Sequence, residues 1–283
     1  MMEKNWRDTS TWNYRLQNKL LQIQRDIESS MSKYVPFVSS FEPVFYESKK
    51  VVTDTGYRYT THHWKSEQKT DRYVVLIPDW LKLGSYFLDH TAIITGQEIA
   101  QRGWNVVSID FCGRGTSFGN EDWGGYEHQD QVVQQLYLFP PEAKIVVIAF
   151  GAGLNTALRG INLSHKKIDL LIDVEGIPNK EILHRLATKP KESIKSVDYW
   201  SIRTCETIVP NFSFPYCRIQ GEIDQNIPDD LRHARMIIRN VNQKIFRLYN
   251  HPKGKRPDRP RWIKHGKIGL RRAILHELSM LQK

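Results

Sequence analysis

Four short loops gather the residue types that could do chemistry. Asp110-Phe111-Cys112-Gly113-Arg114-Gly115-Thr116-Ser117 offers a carboxylate and a thiol. Gly221-Glu222-Ile223-Asp224-Gln225-Asn226-Ile227-Pro228 offers a further carboxylate, and Asn250-His251 an imidazole. Ala149-Phe150-Gly151-Ala152-Gly153 is a tight turn with no reactive side chain. A carboxylate that orients an imidazole makes a general base, able to deprotonate a water or a substrate. A thiol attacks once ionised, although a single buried cysteine is more often a small hydrophobe, and Cys112 is open to both readings.

These loops are interesting because of what precedes each of them. Tyr73–Ile77, Trp104–Ile109, Lys144–Ala149, Ile168–Val174, Tyr216–Gln220 and Lys244–Leu248 are short apolar runs, the pattern of strands covered on both faces. Helical spacing falls between them, over Ser85–Arg102, Tyr126–Leu138, Gly153–Asn162 and Asp229–Val241, and again over Lys267–Leu281. Ahead of them, Val44–Thr53 and Tyr57–Trp64 flank the turn Asp54-Thr55-Gly56 and read as a hairpin. Hairpin followed by alternating strands and helices predicts an α/β fold, with a mostly parallel sheet and helices on both faces. In such sheets ligands bind at the carboxyl ends of the strands, where the four loops fall. Leu16, Leu20, Ile23, Ile27 and Met31 predict an amphipathic helix over 11–34. The organisation expected is a helical arm and linker over 1–43 and a single domain over 44–283, with a small cap region at about 179–214.

The order of elements and the four loops resemble the α/β-hydrolase superfamily, from Val44 to the C-terminus. Asp110–Ser117 is similar to that family's D-x-x-G-x-G-x-S turn, and Gly221–Pro228 to its G-x-x-D-x-x-(I/V)-P loop. The resemblance implies an α/β-hydrolase-like, eight-stranded-type sheet. It also implies the role of triad acid for Asp224 and of triad base for His251. The family's nucleophile elbow is G-x-S-x-G, and the aligned position here is Gly151, which has no side chain to attack with. Where such hydrolases place His-Gly beside the oxyanion hole, this chain has Pro78-Asp79-Trp80. Proline donates no N–H, and a carboxylate on Asp79 opposes a developing oxyanion.

Both departures lead to the expectation of a non-catalytic protein of this fold that binds a small or anionic ligand or a protein partner. Asp79, Trp80, Cys112 and Phe150 are the candidate binding residues. The alternative is an atypical hydrolase or lyase that uses the Asp224–His251 pair without a serine. A third reading makes that pair a hydrogen-bonded tie between two loops. Trp80, Tyr86, Phe111, Phe118, Trp123, Tyr126 and Phe150 line a pocket or simply fill the core.

The 283 residues carry 41 Lys and Arg against 31 Asp and Glu, a formal charge of +10. Nine of those bases and one acid lie between His251 and Arg272, a local excess of eight, so the remaining chain is close to neutral. The stretch Lys253–Arg272 is therefore the expected contact for an anionic partner, or else a solvated loop. Pro252, Pro257 and Pro260 argue against a helix in its first half. Cys112, Cys205 and Cys217 form no disulfide or zinc pattern, and no metal or other cofactor is expected. With no leader-like or membrane-spanning run, the expected location is cytoplasmic.

Overall fold

The computed structural model describes residues 44–53, 56, 58–80, 82–177, 199, 201–205, 214–221, 246–251 and 259–282, with 220–221, 246–251 and 259–268 described by their backbone. The predicted arm over 1–43 and the predicted helix over 229–241 lie outside the described residues. The chain divides into units 1–42 and 43–283, and every element below belongs to the second.

Its centre is an eight-stranded sheet: β1 (Phe45–Val52), β2 (Arg58–Lys65), β3 (Arg72–Ile77), β4 (Asn105–Asp110), β5 (Lys144–Phe150), β6 (Leu170–Val174), β7 (Tyr216–Gly221) and β8 (Phe246–His251). The spatial order is β1-β2-β4-β3-β5-β6-β7-β8. β1 pairs with β2, and β2 with β4, in antiparallel fashion, while all other pairs are parallel. Four of the parallel strands are the β-branched runs RYVVLI, NVVSID, KIVVIAF and LLIDV, nearly all buried. Residues that branch at Cβ pack well on a pleated surface covered from both sides.

Alternation along each strand sends neighbours to opposite faces. Val75 and Ile77 of β3 join a core with Val132 and Leu136 of α2 (Tyr126–Tyr137) and Leu154, Ala157, Leu158 and Ile161 of α3 (Gly153–Ser164). Val74 and Leu76 join the other core, with Ile99 of α1 (Gly96–Ala100) and Leu270, Ile274 and Leu278 of α4 (Arg259–Met280).

Three expectations need correction. The helix predicted over Ser85–Arg102 is a 3-10 turn at Gly84–Leu88 and a separate α1. Asp89 Oδ1 accepts the Thr91 N–H at 2.7 Å and ends the first piece. Thr95 starts the second with a capping box to Glu98. The last helix begins at Arg259, eight residues earlier than predicted, because Pro260 falls in its first turn, where a missing N–H costs nothing. His251, expected in the loop after the last strand, is the last residue of β8 itself. No helix among the described residues is long and apolar enough to cross a membrane.

Candidate functional site

The site is set by the register of two parallel neighbours. Ile77 of β3 lies beside Ala149 of β5. Two residues further on, each chain leaves the sheet, which brings Asp79 level with Gly151. The turn at Gly151 has φ +53°, the left-handed region. Its carbonyl accepts the Ile177 N–H at 3.2 Å, and its own N–H donates to the Val174 carbonyl at 3.0 Å. The elbow's shape is thus kept with glycine in the strained position. Gly153 completes it by close approach, because a Cβ there would lie 2.2 Å from the Pro78 carbonyl oxygen.

A Cβ on Gly151 would lie 2.7 Å from Asp79 Cγ and 2.8 and 2.9 Å from its two oxygens. The carboxylate therefore fills the place of a nucleophile's side chain. Asp79 Oδ1 accepts the Trp80 N–H at 2.7 Å and the Ala152 N–H at 3.1 Å. One donor follows the elbow and the other follows β3, which are the two positions that build an oxyanion hole in this architecture. Pro78 donates no N–H, and the backbone donor on this side of the site is Trp80, which Asp79 takes.

Burial raises the Asp79 carboxyl above its ordinary value, against the opposing pull of the two amides and of Arg114 and Lys82. Among the described residues no cation pairs with it. Arg114 is held instead by Glu121, with Nε–Oε2 at 2.5 Å and Nη2–Oε1 at 2.8 Å. The Lys82 ammonium lies 4.9 Å from the centre of the Tyr86 ring. Asp79 and Gly151 are both half-buried.

The other predicted site residues are placed differently. Trp80 is buried, and its Nε1–H donates to Thr156 Oγ1 at 3.3 Å. Phe150 is buried against Phe87, with ring centres 5.2 Å apart. Cys112 is fully buried and its Sγ–H donates to Glu127 Oε2 at 3.2 Å. Burial, helped by Glu127, pushes that thiol far up and so favours its protonated form. Phe118 and Tyr126 are exposed, whereas Phe111 is core. Asp224 and the side chain of His251 lie outside the described residues. The backbone of His251 pairs in register with Gly221, three residues before Asp224. Within the predicted cap region, Gln129 Nε2–H donates to the Ile202 carbonyl at 2.6 Å. The Cys205 N–H donates to Asn155 Oδ1 at 2.9 Å. Residues 201–205 are thereby tied to α2 and α3.

Two polar clusters were not foreseen. His62 lies between Asp110, with Nε2 3.2 Å from Oδ2, and the Tyr46 hydroxyl, 2.8 Å from Nδ1. Asp173 of β6 accepts from Arg218 and Tyr216 of β7, and all three are buried. The strands that carry Asp173, Tyr216 and Arg218 read as apolar runs and are brought together by the parallel register of β6 and β7, whereas the His62 cluster is assembled by the antiparallel pairing of β1, β2 and β4. Among the described residues no group of three His, Cys, Asp or Glu side chains is placed to hold a metal ion.

No protein-family model matches the chain, and no curated protein matches its sequence. Solved structures do match. A thioesterase domain from the curacin biosynthetic pathway is similar at TM-score 0.56 and 15% identity, over 84% of this chain and all of that one. An esterase from Pyrococcus furiosus is similar at TM-score 0.55 and 16% identity, over 81% of this chain and 91% of that one. A serine hydrolase without lid from Xanthomonas campestris is similar at TM-score 0.55 and 18% identity, over 85% of this chain and 98% of that one. With the strand order and the elbow already described, these likenesses establish that the chain carries the α/β-hydrolase fold.

Proposed function

We propose that this protein uses the α/β-hydrolase fold to bind a ligand or partner and does not hydrolyse esters through a serine route. One observation carries the reading: Asp79 Oδ1 takes both oxyanion-hole amides, directly above a glycine at the nucleophile position. Such a hole stabilises charge only when its donors are free to meet it. Here an incoming oxyanion meets a resident carboxylate instead, and two unit charges 4 Å apart repel by about 4 kcal/mol at an effective dielectric of 20. Acyl transfer is opposed twice, by the missing nucleophile and by the occupied hole. The test is a screen of short p-nitrophenyl esters with the wild type and Gly151→Ser. The expected outcome is background rate for both. Turnover by the wild type that disappears in Asp224→Asn and His251→Ala would overturn the reading.

The pairing of Gly221 with His251 favours a second reading, since it sets the start of the Asp224 loop beside the histidine. In that reading Asp224 orients His251 as a general base for hydrolase or lyase chemistry without a covalent intermediate. The stretch Lys253–Arg272 is proposed as a contact for an anionic surface or partner. Its basic residues from Arg259 onward belong to one continuous helix, α4.

A further inference from the structure

We propose that Asp79 makes this site a receptor for a hydrogen-bond-donating organic cation, an alkylammonium or amidinium group, where a hydrolase of this fold would receive an acyl oxygen. The inference rests on the ligand-binding reading above and names the chemistry of the ligand at that site.

The two oxygens of Asp79 are not equivalent. Oδ1 is spoken for by the amides of Trp80 and Ala152. Oδ2 lies 2.8 Å from where a Gly151 Cβ would be, and no hydrogen bond to it occurs among the described residues. A carboxylate has about four acceptor positions, and two are used. The nearby cations do not complete the set: Arg114 is engaged by Glu121, and Lys82 lies over Tyr86. With glycine at 151, no side chain competes with the carboxylate for this place. The backbone donors that could have attracted an anion are saturated, so the unmet demand of the site is for a donor.

Burial already disfavours the charged form of Asp79, and a cation at Oδ2 relieves that penalty. A neutral donor supplies the hydrogen bond without the charge. An anion supplies neither and is repelled. This ranking of cation over neutral over anion is the signature to look for.

The experiment titrates the full chain with benzylammonium, benzyl alcohol and benzoate, which share a ring and differ in the head group. It is run at physiological ionic strength, which screens the distant basic segment. A charge-assisted hydrogen bond predicts that benzylammonium binds at least about tenfold tighter than benzyl alcohol, with benzoate weakest. Asp79→Asn keeps an oxygen for the two amides and removes the charge, so it should cost benzylammonium about tenfold and cost benzyl alcohol less, narrowing the gap between them. Equal affinities, a preference for benzoate, no benzylammonium binding at millimolar concentration, or an unchanged Asp79→Asn variant would each overturn the proposal. If Asp79→Asn does not fold, the order of the three probes on the wild type decides. Ester turnover by the wild type would refute the proposed function without touching the head-group ranking, so the two failures are separable.

Discussion

The contact between Asp79 and Gly151 makes a quantitative prediction through a double-mutant cycle. Gly151→Ala in the wild type incurs two costs. A Cβ at φ +53° costs about 1 kcal/mol for the left-handed backbone. The same Cβ falls 2.7 Å from Asp79 Cγ and must push the carboxylate off its two amides. Hydrogen bonds to a charged group contribute about 1.5–3 kcal/mol each, and partial loss of both adds roughly 2 kcal/mol. The single variant should therefore lose about 3 kcal/mol in all. In an Asp79→Ala background no carboxylate is displaced, and Gly151→Ala should cost only the backbone part, about 1 kcal/mol. The coupling between the two sites is then about 2 kcal/mol, far above the ~0.5 kcal/mol scatter of independent sites. Urea unfolding of the four proteins reads it directly, provided the slope m is constant across the set. The same coupling appears as roughly 4–8 °C of non-additivity in melting temperature for a domain of this size. Additive effects would show that the carboxylate does not occupy the elbow's side-chain space, and the argument from the occupied hole would fall with it.

Three further outcomes are expected. Asp173→Ala should destabilise by about 3–5 kcal/mol in urea unfolding, because it leaves the buried Arg218 charge without its carboxylate. His128 is buried, accepts the Gly124 N–H at Nδ1 (3.0 Å) and donates from Nε2 to the Cys112 carbonyl (3.1 Å). Desolvation lowers its pKa to about 3, so between that value and the unfolded pKa of about 6.5 the unfolded chain binds the extra proton. Stability should fall by up to about 1.4 kcal/mol per pH unit on acidification through this window, and His128→Gln should flatten that limb. Removing the charges of Lys253, Lys255, Arg256 and Arg259 should weaken retention on an anionic matrix and make its salt dependence shallower, whereas unchanged elution would mean that the segment is only a solvated face.

The sheet was legible because strands covered on both faces need uninterrupted apolar runs, and KIVVIAF or LLIDV have few other homes. The hairpin was legible from two β-rich runs flanking the turn Asp54-Thr55-Gly56. The single helix expected over Ser85–Arg102 is broken by hydrogen bonds of Asp89 and Thr95, which composition alone does not reveal. The start of α4 was misread by counting Pro260 as a breaker without asking which turn it fell in. At the site, Gly151 and Asp79 were each conspicuous as departures from a pattern. Their contact was not, although parallel strands whose register sets Ile77 beside Ala149 already bring the two residues to one level. The capture of the Trp80 and Ala152 amides could not be read from residue types, since backbone donors leave no mark on them. Asp173 and Arg218 sat unnoticed in apolar company, because a buried pair announces itself only when two strands are aligned.

The shared volume above the elbow also works as a mutational ratchet. It holds either a side chain on residue 151 or the Asp79 carboxylate. From this sequence, Gly151→Ser drives its side chain into the Asp79 carboxylate and displaces it only in part, so the charge stays beside the amides. Loss of the Asp79 side chain opens the amides and supplies nothing to attack with. On the proposed reading, neither first step supplies a nucleophile and free amides together, so reaching a serine enzyme takes two substitutions at once. Libraries that sample one position at a time would stall there, whereas a library paired at residues 79 and 151 steps over it.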